Sequence, residues 1–135
     1  MPTRAVRGAV TVQADTEANI LSATRELLEG ILEANPSMQP DDLASVFFTM
    51  TEDLSSTYPA KAARQMGWTQ VALLCAQEIP VPGALPRAIR ALLHWNTDLA
   101  QADVKHVYLR DARSLRPDLA LEGPPQGAQE RQVSL

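Results

Sequence analysis

Positions 88–96 form a largely apolar run in which every second residue from position 89 to position 95 is hydrophobic, and an arginine lies inside this run. The alternation predicts one packed face of an extended strand, formed by Ile89, Ala91, Leu93 and Trp95. Arg90 lies on the opposite face. Its guanidinium cannot lose its charge, and it is costly to remove from water without an anionic partner. The Arg90 face is therefore solvent, an interface with a structural carboxylate, or a pocket for a ligand anion.

The same patterning predicts two helices and four further strands. The clearest helix starts after Asp15-Thr16, which offers an N-cap, and it ends at Asn35-Pro36, with apolar residues at i, i+3 and i+4 spacing between them. A shorter helix between Tyr58 and Gly67 has proline near its first turn and glycine just past its end. Strands are predicted at residues 4–12, 46–50, 71–76, 88–96 and 104–109, and a proline-rich loop at residues 78–86. The order β-α-β-α-β-β-β predicts an α+β (or α/β) sandwich with one mixed sheet.

The composition is typical of a single globular domain. Hydrophobic residues make up 45% of the 135 residues and charged residues 21%. The formal net charge of −4 argues against a partner that is a nucleic acid or an anionic membrane. The single cysteine, Cys75, excludes an intrachain disulfide and a multi-cysteine zinc site. Since the sequence contains no signal peptide or transmembrane span, we expect a cytoplasmic protein.

The charges are distributed unevenly along the chain. Nine of the sixteen acidic residues lie between Asp15 and Asp53, whereas several arginines lie in or beside the apolar strands. Taken singly, each arginine is most simply a surface charge or half of a structural ion pair. Taken together, Arg7 and Arg90 belong to two separate apolar strands and both need anions, while most acidic residues lie elsewhere. A dianionic small molecule would satisfy both arginines.

The common catalytic motifs are missing from the sequence. It contains no phosphate loop, no GxGxxG, no nucleophile elbow and no histidine-carboxylate cluster with metal-ligand spacing. The two histidines, His94 and His106, lie in strand-like segments, where a packed or hydrogen-bonded structural role is expected. Cys75 lies in no catalytic motif, and a lone free cysteine is usually an inert core residue.

Seven stretches resemble, in order, the monofunctional AroH-class chorismate mutases, the trimeric enzymes of the Bacillus type. These stretches are Val6-Arg7-Gly8-Ala9, Pro59-Ala60-Lys61-Ala62-Ala63-Arg64, Cys75-Ala76-Gln77-Glu78, Pro86-Arg87-Ala88-Ile89-Arg90, Asn96-Thr97-Asp98, His106-Val107-Tyr108-Leu109 and Leu115-Arg116-Pro117-Asp118-Leu119. No single stretch is specific, but all seven are in register. The resemblance implies a chorismate mutase-like domain over residues 1–119 and leaves residues 120–135 as a mobile polar tail.

The resemblance further implies a homotrimer packed as a pseudo-α/β barrel, with active sites in clefts between subunits. This family rearranges chorismate to prephenate, in the biosynthesis of phenylalanine and tyrosine, without a metal or cofactor. One subunit would contribute Arg7, Arg90, Tyr108 and Arg116. The next would contribute Tyr58, Lys61, Arg64, residues 73–75 (with Leu74 and Cys75) and Glu78, and Ala76 and Gln77 are expected beside the substrate. Arg90 would stabilise the ether oxygen of the substrate, and Glu78 would accept a hydrogen bond from its ring hydroxyl.

Two positions depart from the family pattern. Tyr58 stands where the family often has phenylalanine, and Leu74 occupies a position that is polar in some members.

Two other functions stay open. A trimeric reactive-intermediate deaminase-like protein, or a non-enzymatic trimer that binds small carboxylates, would also have an interface arginine facing an anion. Glu78 and Arg90, together with the Cys75 and Tyr108 segments, favour the mutase over both.

Overall fold

The computed structural model describes residues 1–115, which form one mixed β-sheet with two helices. The strands are β1 (Thr3–Thr11), β2 (Leu43–Met50), β3 (Ala72–Gln77), β4 (Ala88–Asn96) and β5 (Val107–Tyr108). The α-helices are α1 (Glu17–Ala34) and α2 (Pro59–Gln65), and short 3₁₀ helices span Pro40–Asp42, Gln101–Asp103 and Arg110–Ser114. The predicted α+β fold with a mixed five-stranded sheet is confirmed.

The strand order across the sheet is β3-β2-β4-β1-β5. β4 runs antiparallel to both of its neighbours, β1 and β2. The outer pairs, β1 with β5 and β2 with β3, are parallel. The sheet therefore has its longest antiparallel pairing at the centre, where the strand that carries Arg90 lies.

The core lies between one face of this sheet and the two helices. Helix α1 is capped by the Thr16 hydroxyl, which accepts a hydrogen bond from the Asn19 backbone N–H at 3.1 Å. Its buried stripe packs on the sheet, and the four residues that were predicted to form the packed face of β4 are all buried. The other face of the central sheet, which carries Arg90, is covered by neither helix.

The fifth strand is shorter than the pattern predicts. The sequence indicates a strand over residues 104–109, but only Val107 and Tyr108 pair with β1. Before them, the His106 ring nitrogen Nδ1 accepts the Arg7 backbone N–H at 3.0 Å, which takes the place of a ladder bond. The Asn35 side chain also binds the Lys105 backbone through both its N–H and C=O. These side-chain contacts hold the segment in position without extending the ladder.

Arg116 and the predicted tail at residues 120–135 lie outside the described residues, as does the last part of the predicted domain. Within residues 1–115, no helix is long and apolar enough to cross a membrane.

Candidate active site

A cavity of about 300 Å³ opens on the sheet face that the helices leave uncovered. Four predicted site residues line it: Arg7 from β1, Arg90 from β4, Tyr108 from β5 and Glu78 just after β3. Strand register explains why they meet. Ala9 of β1 pairs with Arg90 on one side and with Tyr108 on the other, so these two side chains flank the same point of the sheet.

The cation at the centre of the cavity is only loosely partnered. The Arg90 side chain is 38% exposed, yet its Nε atom is buried. Nε lies 3.6 Å from Glu78 Oε2, which is an ion-pair distance but is too long for a hydrogen bond. Within residues 1–115, Nε makes no hydrogen bond. A buried N–H without an acceptor is costly in free energy, so this atom is a donor that an incoming ligand can satisfy.

Glu78 is held by β2. Its backbone N–H donates to the Met50 carbonyl at 2.7 Å, which keeps the residue beside β2 after β3 has ended. Its Oε1 atom accepts the hydroxyl of Thr49 at 2.5 Å, and its Oε2 atom faces Arg90. The resemblance assigned Glu78 and Arg90 to neighbouring subunits, whereas the structure brings them together in one chain.

The other two cavity residues have different surroundings. Arg7 is half-buried, and its side chain makes no hydrogen bond or ion pair with any residue of the described part of the chain. Tyr108 is 2% exposed and packs against Ala9 and Ala112. The four predicted residues therefore bring two guanidinium groups, one carboxylate and one tyrosine ring to the cavity, a set that suits an anion carrying a hydroxyl group.

The predicted site residues of α2 do not reach this cavity. Tyr58 is the N-cap residue of the helix and is 66% exposed. Lys61 forms an ion pair with Glu17 of α1, and Arg64 is exposed. Helix α2 packs against α1 and β3 in the helix layer. In a single chain these three side chains therefore lie away from Arg90.

The predicted residues of β3 also lie outside the cavity lining. Leu74 pairs with Phe47 in the register of β2 and β3 and is 59% exposed, and Ala76 and Gln77 are exposed as well. Cys75 faces the other way, into the helix layer. Burial raises the pKa of its thiol, which outweighs the opposing effects of a hydrogen bond with the Ala60 backbone and of the Arg64 charge. The thiol is thus not activated as a nucleophile, which agrees with the absence of a catalytic motif around Cys75 in the sequence.

Among the cavity residues that sequence reasoning missed are Phe47 and Thr49. Both lie on β2, on the face opposite the buried Val46 and Phe48. The alternation of β2 could have indicated these residues, because it places Phe47 and Thr49 together on the face opposite the buried residues of the strand. Only the pairing of Thr49 with Arg90 across β2 and β4 shows that this threonine lies in the cavity.

The two histidines have the structural role that was predicted. His94 Nδ1 lies 3.0 Å from the Ser45 hydroxyl, and the imidazole of His106 accepts a backbone N–H. Among residues 1–115, no three His, Cys, Asp or Glu side chains come together in a way that could hold a metal ion.

Comparison with known proteins agrees with this geometry. Residues 3–119 match the family model of chorismate mutase type I. The chain is 59% identical over 116 residues to chorismate mutase AroH from Thermus thermophilus, which covers 86% of this chain and 95% of that protein. It is 43% identical over 122 residues to chorismate mutase AroH from Bacillus subtilis, with 90% and 95% covered.

A solved structure shares the fold as well as the sequence. A chorismate mutase from Clostridium thermocellum superimposes with a TM-score of 0.80 at 48% identity, covering 82% of this chain and 98% of that one. The resemblance read from the seven sequence stretches is confirmed. Because the family model spans most of the chain and the relatives are matched over nearly their whole length, the chain belongs to the chorismate mutase type I family and is an isomerase of that type.

Proposed function

We propose that this chain converts chorismate to prephenate in the cavity lined by Arg7, Arg90, Glu78 and Tyr108. The observation that carries the proposal is the buried Nε of Arg90, which has no hydrogen-bond acceptor among residues 1–115 and belongs to a side chain that lines a cavity together with Arg7. Substrate carboxylates and the ether oxygen are acceptors of the kind that these guanidinium groups lack.

The reaction is an intramolecular rearrangement in which one ether C–O bond breaks and one C–C bond forms. It transfers no proton, so it needs neither a nucleophile nor a general base. The protein acts by holding the two reacting ends of a flexible dianion close together, and orientation of this kind lowers a barrier by up to about 7–11 kcal/mol. Arg7 binds a carboxylate, and Tyr108 donates a further hydrogen bond.

Arg90 stabilises the transition state. As the ether bond breaks, negative charge develops on its oxygen, and a guanidinium already in place stabilises that charge without reorganisation. Glu78 accepts a hydrogen bond from the ring hydroxyl and offsets positive character that develops on the ring. Its carboxylate is already directed into the cavity by Thr49.

The active site is completed by a neighbouring chain in a homotrimer. Charge supports this part of the proposal, because two arginines and one glutamate leave a single positive charge in the cavity for a substrate with two negative charges. Arg64 and Lys61 belong to α2 and Tyr58 is its N-cap residue, and all three are absent from the cavity of their own chain. A second copy would bring them to the open edge of the cavity.

The uncovered sheet face supports the same assembly. It exposes apolar side chains that a monomer leaves in water, among them Phe47 at 45% and Leu74 at 59%. A trimer would cover them and form the barrel that the resemblance implies.

We also place the enzyme in the cytoplasm, where a chain with one cysteine and no disulfide is expected.

The direct test of the proposal is an activity assay. Purified protein without added cofactor is mixed with chorismate, and the loss of chorismate absorbance is followed while the product is identified as prephenate. We expect turnover far above the uncatalysed rate. A folded, trimeric protein that consumes no chorismate would refute the proposed function.

Complementation tests whether sites are shared between chains. Arg90→Ala and Arg64→Glu are each expected to inactivate the enzyme. Unfolding and refolding an equal mixture of the two variants should restore about a quarter of the wild-type activity, because that share of interfaces joins an intact Arg90 to an intact Arg64. A mixture as inactive as its parents, although mixed trimers form, would show that each site uses one chain.

A further inference from the structure

Glu78 and Arg90 lie close together without forming a closed ion pair. Their nearest atoms, Glu78 Oε2 and Arg90 Nε, are 3.6 Å apart, although Nε is buried and lacks any other acceptor in the described part of the chain. A guanidinium and a carboxylate that are free to move approach to about 2.7–2.9 Å. Something therefore holds the carboxylate back.

Thr49 is the group that holds it. Its hydroxyl donates to Glu78 Oε1 at 2.5 Å, so one carboxylate oxygen is engaged on the β2 side. Thr49 lies directly opposite Arg90 in the register of β2 and β4, in the middle of the sheet. As a β-branched residue in a central strand it has a restricted χ1 angle, which fixes the position of its hydroxyl.

We propose that Thr49 is a positioning residue that keeps Glu78 from closing onto Arg90, so that Arg90 Nε stays available to the substrate. This inference rests on the proposed function. Without the hydroxyl, the carboxylate would rotate toward the guanidinium and neutralise it in the empty site. The substrate would then have to break that ion pair before it could bind.

The inference predicts a particular kinetic signature. An ion pair that forms only in the empty site stabilises the free enzyme and must be broken before substrate binds. It stabilises neither the bound substrate nor the transition state, so its formation raises KM and leaves kcat nearly unchanged. For Thr49→Val, which keeps the branched shape and removes the hydroxyl, we expect KM to rise about tenfold or more, the scale of one hydrogen bond to a charged group. Thr49→Ser keeps the hydroxyl and should retain the wild-type KM.

Two further variants separate positioning from a structural effect. Ser45→Ala removes a hydroxyl from the same face of the same strand, where it contacts His94 and not Glu78, and should leave KM unchanged. In a Glu78→Ala background, Thr49→Val should have no further effect on KM, because no carboxylate remains to be held. The melting temperature of Thr49→Val should stay within about 2 °C of wild type.

The outcomes are distinguishable. A KM increase in Thr49→Val that is rescued by serine and absent without Glu78 supports the inference. An unchanged KM, a fall in kcat alone, a serine variant that behaves like the valine variant, or an effect that persists in the Glu78→Ala background would each overturn it. If the wild-type protein does not turn over chorismate, the proposed function fails first; if the wild type is active and Thr49→Val matches it, only the role of Thr49 fails.

Discussion

Replacement of Arg90 by alanine should separate catalysis from folding. The structure indicates a small contribution of this side chain to stability. It is 38% exposed and its nearest carboxylate oxygen is 3.6 Å away, so the ion pair with Glu78 is screened by solvent and is worth about 0–1 kcal/mol. Glu78 also keeps its hydrogen bond from Thr49 when Arg90 is removed. We therefore expect the melting temperature to fall by about 4 °C or less.

The expected loss of activity is far larger. Removal of one donor that faces developing negative charge typically costs about 3–4 kcal/mol of transition-state stabilisation, roughly a hundred- to a thousandfold in kcat. The contrast arises because the Arg90 Nε donor has no acceptor among residues 1–115 until a ligand supplies one. Its main interaction is thus absent from the empty protein.

The assay combines chorismate turnover with thermal unfolding of the same samples. Arg25→Ala is a suitable control, because Arg25 forms an exposed ion pair with Glu29 on the outer side of α1 and does not contact the cavity. It should change neither quantity appreciably. A collapse of kcat and stability together in Arg90→Ala would mean that Arg90 is a structural cation, and a loss of kcat below tenfold would exclude it as the main stabiliser of the ether oxygen.

Two further predictions concern packing and acid stability. A Cβ atom at position 8 would lie 3.0 Å from the Ile31 side chain and 3.2 Å from the Val107 carbonyl oxygen. We therefore expect Gly8→Ala to lower the free energy of unfolding by about 1–3 kcal/mol, measured by denaturant unfolding. Unchanged stability would mean that α1 moves away from the added methyl group without cost. Hydrogen bonds that the backbone N–H groups of Ser55 and Ser56 donate to Asp15 Oδ1 lower the pKa of this carboxyl group. Its contribution to stability is therefore complete above the usual carboxyl range and is lost as pH falls through the lowered pKa. The melting temperature of Asp15→Asn should therefore lie below that of wild type near neutral pH and approach it in acid; a constant difference at every pH would contradict the assignment.

Much of the site could be predicted from the sequence. The alternation around Arg90 placed its side chain opposite the packed face, and the structure buries all four residues that were predicted to pack. The uneven distribution of charge paired Arg7 with Arg90, and the resemblance added Glu78 and Tyr108; all three line the same cavity as Arg90. The face that Arg90 takes could be predicted because the period of a strand is a local property, and a short run of residues is enough to reveal it.

Other features depend on contacts between distant segments. The shortened β5 results from side chains of His106 and Asn35 that bind backbone groups elsewhere in the chain, which no periodicity records. The role of Thr49 depends on its pairing with Arg90, which lies 41 positions further along the chain by their residue numbers. Strand alternation shows which face a residue takes, whereas register decides which residues share that face.

The sequence by itself determined the two helices, most of the strands, the family and the two arginines that line the cavity, because periodicity, caps and matching stretches are all encoded locally. Only the tertiary structure decided that Glu78 lies beside Arg90 in the same chain, that Thr49 holds it, and that Tyr58, Lys61 and Arg64 lie in the helix layer away from the cavity. The physical reason is that hydrogen bonds and ion pairs act over a few ångströms in space, and folding brings together groups that the chain keeps far apart.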